Sequence, residues 1–169
     1  MKLKHLTLSA MFLALGLVLP FVTMQVPQIG SMLLPMHLPV FLCGMVCGPW
    51  WGLLVGALCP LLRHLLFQMP PLVSAVPMAF ELAAYGLVSS LLFARFKEKD
   101  TKAVYLSLIP AMIVGRLVWG LVQIVLFSLR GNAFTMQAFL AGALTTAIPG
   151  IILQLILIPL LIKALKRYL

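Results

Sequence analysis

Long runs of apolar residues alternate along the chain with short polar segments, and this pattern predicts six membrane-spanning helices. A helix needs about 20 residues to cross the hydrocarbon of a bilayer. The predicted spans are residues 6–23, 32–48, 50–67, 74–94, 103–129 and 139–162. Only short connections remain between them, so we predict a single membrane domain over residues 1–169 with no separate soluble domain.

The apolar stretch over residues 32–67 is about twice as long as one crossing requires. Gly48 and Pro49 lie at its middle. Glycine adopts backbone conformations that other residues avoid, and proline removes a helical hydrogen bond. This pair therefore predicts a turn between two short spans. Pro35 and Pro39 predict irregular opening turns in the first of these spans.

Composition narrows the class of protein. Hydrophobic residues make up 63% of the 169 residues and charged residues 9%, whereas a soluble domain has about a quarter charged residues. The mean hydropathy is +1.16. These values exclude a soluble enzyme, a disordered protein and a secreted disulfide scaffold, and they leave an all-α integral membrane protein. The 3 cysteines form no disulfide framework, and we predict them to be small buried side chains.

The 12 basic residues outnumber the 3 acidic ones, for a net charge of +9. They are not grouped with aromatic residues on a polar face, so nucleic-acid binding is not favoured. With six spans, one side of the membrane carries both termini, the loop 95–102 and most of the basic residues: Lys2, Lys4, Arg95, Lys97, Lys99, Lys102, Lys163, Lys166 and Arg167. Basic loops favour the cytoplasm, so both termini are predicted to be cytoplasmic.

Small residues four positions apart predict close contacts between helices. Gly52 and Gly56 form such a face in the third span, and we expect it to pack inside the bundle. Ala10 and Ala14 form a shallow notch on the first span, among bulky apolar neighbours.

The chain resembles the S-components, the substrate-binding subunits of energy-coupling factor (ECF) vitamin transporters, over essentially its whole length. The resemblance rests on chain size, the six spans, the opening LTLSAMFLAL at residues 6–15, and the hairpin formed by 39–44 and 48–52. Ala10 and Ala14 match the family's Ala-x-x-x-Ala motif, which implies docking on a transmembrane coupling subunit. The resemblance also implies two ATPase subunits as partners.

Charged residues inside a membrane are costly and often functional. The spans contain three, Arg63, Glu81 and Arg116. One interpretation is an ion pair of Glu81 with either arginine that fixes helix register, and the other is an outward-facing pocket. The candidate substrate-binding residues are Arg63, His64, Glu81, Tyr85, Arg116, Trp119, Gln123 and Asn132. For His37, between two prolines, a structural role is favoured over ligand contact.

The two arginines of the spans, Arg63 and Arg116, differ in their predicted depth in the membrane. Arg116 lies at the middle of its span and cannot extend to the interface, so we predict that it pairs with Glu81. Arg63, with His64, lies near the outer end of its span, where a long side chain can reach the interface. We expect Arg63 to face the mouth of the pocket and to favour an anionic substrate.

Motifs for catalysis and nucleotide binding are absent from the sequence. There is no Gly-x-x-x-x-Gly-Lys-Ser/Thr loop and no His-Glu-x-x-His pair, so we predict no enzyme activity, cofactor or metal. The resemblance implies capture of a vitamin or related small precursor at the outer face of a bacterial or archaeal cell membrane, for ATP-driven uptake by a shared coupling module. The loops that most resemble the family's gates are residues 25–31 and 68–73. The alternative is a stand-alone secondary transporter or channel for a small solute.

Overall fold

A computed structural model describes residues 2–22, 32–129, 131, 135, 137 and 147–165, and these residues contain helices and no strands. The helices are α1 (Lys2–Val22), α2 (His37–Cys47), α3 (Pro49–Phe67), α4 (Leu72–Ala94), α5 (Thr101–Leu129) and α6 (Ile148–Ala164).

Four helices, α1, α3, α4 and α5, are long and apolar enough to cross a membrane. Helices α2 and α6 have 11 and 17 residues, fewer than the roughly 20 of a full crossing. The predicted class, an all-helical membrane bundle, is confirmed in this form. The predicted last span begins with residues 139–146, which lie outside the described residues. The number of crossings and the cytoplasmic termini stay predictions.

The break between α2 and α3 lies where glycine and proline predict it. Gly48 has a φ of 104° and separates α2 from α3, a conformation that residues with a Cβ rarely adopt. Pro49 then occupies the first turn of α3, where its missing N–H costs nothing. Before α2, Leu34 has a φ of 50° and residues 35–36 form a turn. The irregular start predicted for this span is therefore confirmed.

Helix α4 lies at the centre of the bundle and packs against α2, α3 and α5. Helix α1 packs on α2 and α3, and α6 packs on α5 and α2. The largest fully buried side chains of the described core include Phe41, Tyr85, Phe93, Leu82 and Leu108. The cysteines, Cys43, Cys47 and Cys59, are free and buried.

Three glycines bring α2, α3 and α4 into backbone contact. A Cβ on Gly44 or Gly52 would overlap the backbone of Gly86, and one on Gly86 would overlap that of Gly52. One turn along α3, Gly56 packs in the same way on the backbone of Leu82. The close approach predicted at Gly52 and Gly56 is confirmed. This close packing determines how α4, which carries polar residues of the site, is rotated against α2 and α3.

Candidate functional site

A buried carboxylate, Glu81 of α4, is the centre of a polar cluster. Glu81 is 1% exposed. Arg116 of α5 places Nη1 2.8 Å from Glu81 Oε1, and the Tyr85 hydroxyl donates a hydrogen bond of 2.7 Å to the same oxygen. The predicted pairing of Glu81 with Arg116 is present. A charge-assisted hydrogen bond of this length is among the stronger contacts in proteins.

His37, the first residue of α2, adds a third helix to this cluster. Its Nε2 atom lies 3.8 Å from Glu81 Oε1, and the residue is 1% exposed. Its ring centroid is 5.4 Å from that of Tyr85, and Phe41 packs on the same ring at 4.9 Å. The sequence favours a structural role for His37 and does not predict that it lies beside Glu81. A histidine in an otherwise apolar span was the one feature that could have indicated this position.

Local sequence explains why these side chains meet. Glu81 and Tyr85 are four residues apart and therefore share one face of α4. Gly115 of α5 lies against this face, and a Cβ there would overlap the Tyr85 ring. The absence of a side chain on Gly115 thus lets the Tyr85 ring pack directly against α5, next to Arg116, which contacts Glu81.

Several buried polar atoms have no hydrogen-bond partner among the described residues. Within the cluster they are His37 Nδ1 and Nε2 and Arg116 Nε and Nη2, and Gln123 Oε1 lies further along the same face of α5. A buried polar group without a partner costs about 1–3 kcal/mol. The cluster therefore contains both donors and acceptors that a polar ligand could satisfy.

Two further predicted residues extend the site along α5. Trp119 and Gln123 follow Arg116 by three and seven positions, which places them on the same face of the helix. Both are partly buried. The three predicted residues of α5 therefore share one face of that helix, in a line that runs toward its C-terminal end, and the first of them, Arg116, contacts Glu81.

Arg63 is placed elsewhere, between α3 and α1. Its guanidinium donates a hydrogen bond to the Leu17 carbonyl and lies 4.8 Å from the Phe21 ring centroid and 5.3 Å from that of Phe67. The residue is 2% exposed. The described structure does not bring Arg63 into contact with Glu81 or Arg116. These contacts give the guanidinium protein partners, so the expectation that it faces the mouth of a pocket has no structural support.

His64 is held at the C-terminal end of α3. Its Nδ1 atom lies 2.9 Å from the Pro70 carbonyl oxygen, which ties the helix to the predicted gate loop 68–73. The structure does not bring His64 to Glu81. Asn132 and the other predicted gate loop, 25–31, lie outside the described residues.

The notch on α1 faces away from the bundle. Ala10 and Ala14 are exposed, whereas Phe12 and Gly16 on the opposite face are buried. A Cβ on Gly16 would overlap the side chain of Cys59 in α3. The packing of α1 therefore leaves the two alanines on an outer surface.

The fold and the cluster define a multi-pass helical membrane protein with buried polar groups inside an apolar bundle. The chain matches the family described as ECF transporter, substrate-specific component, over residues 4–162, and it belongs to that family. No curated protein and no solved structure matches the chain significantly. Members of the family are substrate-binding subunits of transporters and are not enzymes.

Proposed function

We propose that this chain captures a vitamin or related small precursor at the outer face of a bacterial or archaeal cell membrane for ATP-driven uptake. The family supports a role in substrate binding. The observation that carries the location of the site is the buried cluster of Glu81, Arg116, Tyr85 and His37. Charged residues in a membrane bundle are costly, and they commonly mark the path or the site of a polar solute.

The proposed ligand contacts are the predicted residues that share the face of this cluster. They are Glu81, Tyr85, Arg116, Trp119 and Gln123, and Asn132 stays a prediction. His37 joins them because its two ring nitrogens are buried without hydrogen-bond partners in the described structure. Arg63 and His64 are proposed to hold the outer end of α3 against α1 and the loop 68–73.

The proposed partners are a transmembrane coupling subunit and two ATPase subunits. The chain itself has no nucleotide-binding loop, so ATP must be hydrolysed by another subunit. Ala10 and Ala14 are the proposed contact with the coupling subunit, because they are exposed and small enough to let another helix approach closely. Lipid covers the remaining apolar outer surface.

Purification of the tagged full chain from its native membranes in a mild detergent tests this function. We expect two ATPase subunits and a larger membrane protein to co-purify, and we expect the complex in proteoliposomes to accumulate substrate only with ATP. Accumulation by the chain alone, driven by an ion gradient, would instead identify a secondary transporter. Equal co-purification with an unrelated tagged membrane protein of similar size would show that the association is non-specific.

A further inference from the structure

The arrangement of hydrogen bonds on Arg116 indicates what kind of group the site is built to receive. Glu81 engages the guanidinium through Nη1, whereas Nε and Nη2 are buried and have no hydrogen-bond partner among the described residues. The N–H bonds of Nε and Nη2 are parallel and point from the same edge of the guanidinium. Such a pair matches the two oxygens of a carboxylate.

Glu81 does not depend on Arg116 alone. Its Oε1 atom also accepts the hydrogen bond from Tyr85, and His37 lies beside the same oxygen. One guanidinium can therefore bind Glu81 on one side and a second carboxylate on its free edge. The Arg116 side chain keeps 13% of its surface exposed, compared with 2% for Glu81.

Gln123 indicates a second chemical group that the ligand should carry. Its Oε1 atom is buried and has no hydrogen-bond partner in the described structure. It lies seven residues after Arg116, about 10 Å along the axis of α5, and on the same face. An acceptor in this position selects a ligand that carries an N–H or O–H group.

A phosphate ester fits this site less well than a carboxylate. A dianionic phosphate calls for several cationic or N–H donors, whereas the cluster contains one arginine, already paired with Glu81. The other arginine of the described spans, Arg63, has the Leu17 carbonyl and two aromatic rings as its partners. Because Arg116 is already paired with Glu81, a ligand carboxylate adds one further negative charge to the site, whereas a phosphate dianion adds two.

We propose that the substrate is a small monocarboxylate whose carboxylate binds Nε and Nη2 of Arg116 and whose N–H or O–H group donates to Gln123 Oε1. This inference rests on the proposed substrate-capture function. It names the chemistry of the substrate and the two residues that select it.

The test uses the purified full chain and, as its probe, the deproteinised small-molecule extract of the source cells. The extract is used twice, once untreated and once after its carboxylates have been converted to amides. The protein is incubated with each extract, washed and denatured, and the released compounds are identified by mass spectrometry. We expect a compound with one carboxylate from the untreated extract, and about 10- to 100-fold less of its amide from the treated extract.

Variants assign the contacts. Arg116→Gln alone is expected to fold poorly, so the double variant Arg116→Gln with Glu81→Gln removes the charged fork and keeps the cluster neutral. We expect it to lose retention of the monocarboxylate. Gln123→Leu should reduce retention about 10-fold. Gln154→Leu is the matched control, because this buried glutamine donates to the Leu34 carbonyl instead, and it should retain the ligand.

The outcomes separate this inference from the function on which it rests. Retention of a compound without a carboxylate, or equal retention by the double variant, overturns the monocarboxylate proposal and leaves substrate capture intact. Retention of nothing from the untreated extract contradicts substrate capture itself. Loss of retention in Gln154→Leu to the same degree as in Gln123→Leu assigns Gln123 a role in packing and also overturns the proposed contact.

Discussion

A carboxylate inside an apolar bundle is stable only if its charge is matched, and Glu81 has three neighbouring groups for this purpose. Arg116 supplies the opposite charge, Tyr85 supplies a hydrogen bond and His37 lies 3.8 Å away. Replacing one member of a buried ion pair leaves an uncompensated charge, which costs about 3–5 kcal/mol. The stability of the bundle and the chemistry of the site therefore depend on the same residues.

Removal of the Arg116 charge should lower the yield of folded protein. We expect Arg116→Gln to be destabilised by about 3 kcal/mol because Glu81 loses its ionic partner. The double variant Arg116→Gln with Glu81→Gln should recover much of that loss. Thermal unfolding and the monodisperse fraction in detergent measure both effects. A single variant as stable as the wild type would mean that Tyr85 and His37 are sufficient partners for Glu81.

Arg63 should behave differently from Arg116. In Arg63→Gln the Leu17 carbonyl loses its donor and two aromatic rings lose a cation, so we expect a stability loss of about 2 kcal/mol. Ligand affinity per folded molecule should stay unchanged. Lys102→Gln, an exposed basic residue, is the control for loss of charge. Selective loss of ligand binding with normal stability would return Arg63 to the role that its position in the sequence suggested.

The different outcomes for the two arginines show what a sequence can determine. The pairing of Arg116 with Glu81 follows from their opposite charges and from the depth of Arg116 in the membrane. Both can be read from the positions of the residues within the predicted spans. The partners of Arg63 depend on how α1 is rotated against α3, and Phe21 and Phe67 carry no signal of that rotation. His37 is the first residue of α2, after the turn at residues 35–36. The irregular start of this span was predicted, but the residue at which the helix begins and its contact with Glu81 were not.

Among the elements, the contact between α2, α3 and α4 is set by glycines. The helix breaks and the Gly52-x-x-x-Gly56 face were predictable, since proline and glycine act through their own backbone geometry. Gly86, the residue that both neighbouring helices meet, has Ser90 four positions after it, but it was not among the predicted contacts. Its importance follows from which face α4 turns toward its neighbours, and that depends on the packing of all three helices.

A methyl group at this junction should separate the helices. We expect Gly86→Ala to reduce the folded yield strongly, because its Cβ would overlap the backbone of Gly52 and close-packed interiors relax only slightly. The control is Gly131→Ala, where a Cβ meets nothing within 4 Å. That variant should lose only about 1–2 kcal/mol from its positive φ. Size-exclusion profiles of both variants provide the comparison. Equal behaviour would contradict tight packing at the junction.

For the molecule as a whole, the distribution of basic residues predicts the orientation in the membrane. A cysteine in place of Lys99, in the loop before α5, should not react with a small impermeant thiol reagent added to intact cells. A cysteine in place of Gln68, at the end of α3, should react. The native cysteines are buried, so the unmodified chain gives the background. Labelling at position 99 from outside would reverse the orientation.

The outer surface of α1 should couple the chain to its energy source. Ala10 and Ala14 contribute little to the described core and are exposed, so a leucine at position 14 can be accommodated without disturbing the fold. If another helix packs on this notch, the isobutyl group prevents its approach.

We therefore expect Ala14→Leu to lower ATP-driven uptake to background while the isolated chain retains its ligand at the wild-type level. Loss of both activities would indicate misfolding, and the thermal unfolding of the variant identifies that case. Ala94→Leu, which enlarges an exposed alanine at the end of α4, is the matched control and should leave uptake unchanged. Normal uptake by the double variant Ala10→Leu with Ala14→Leu would assign this surface to lipid and remove it from the proposed interface.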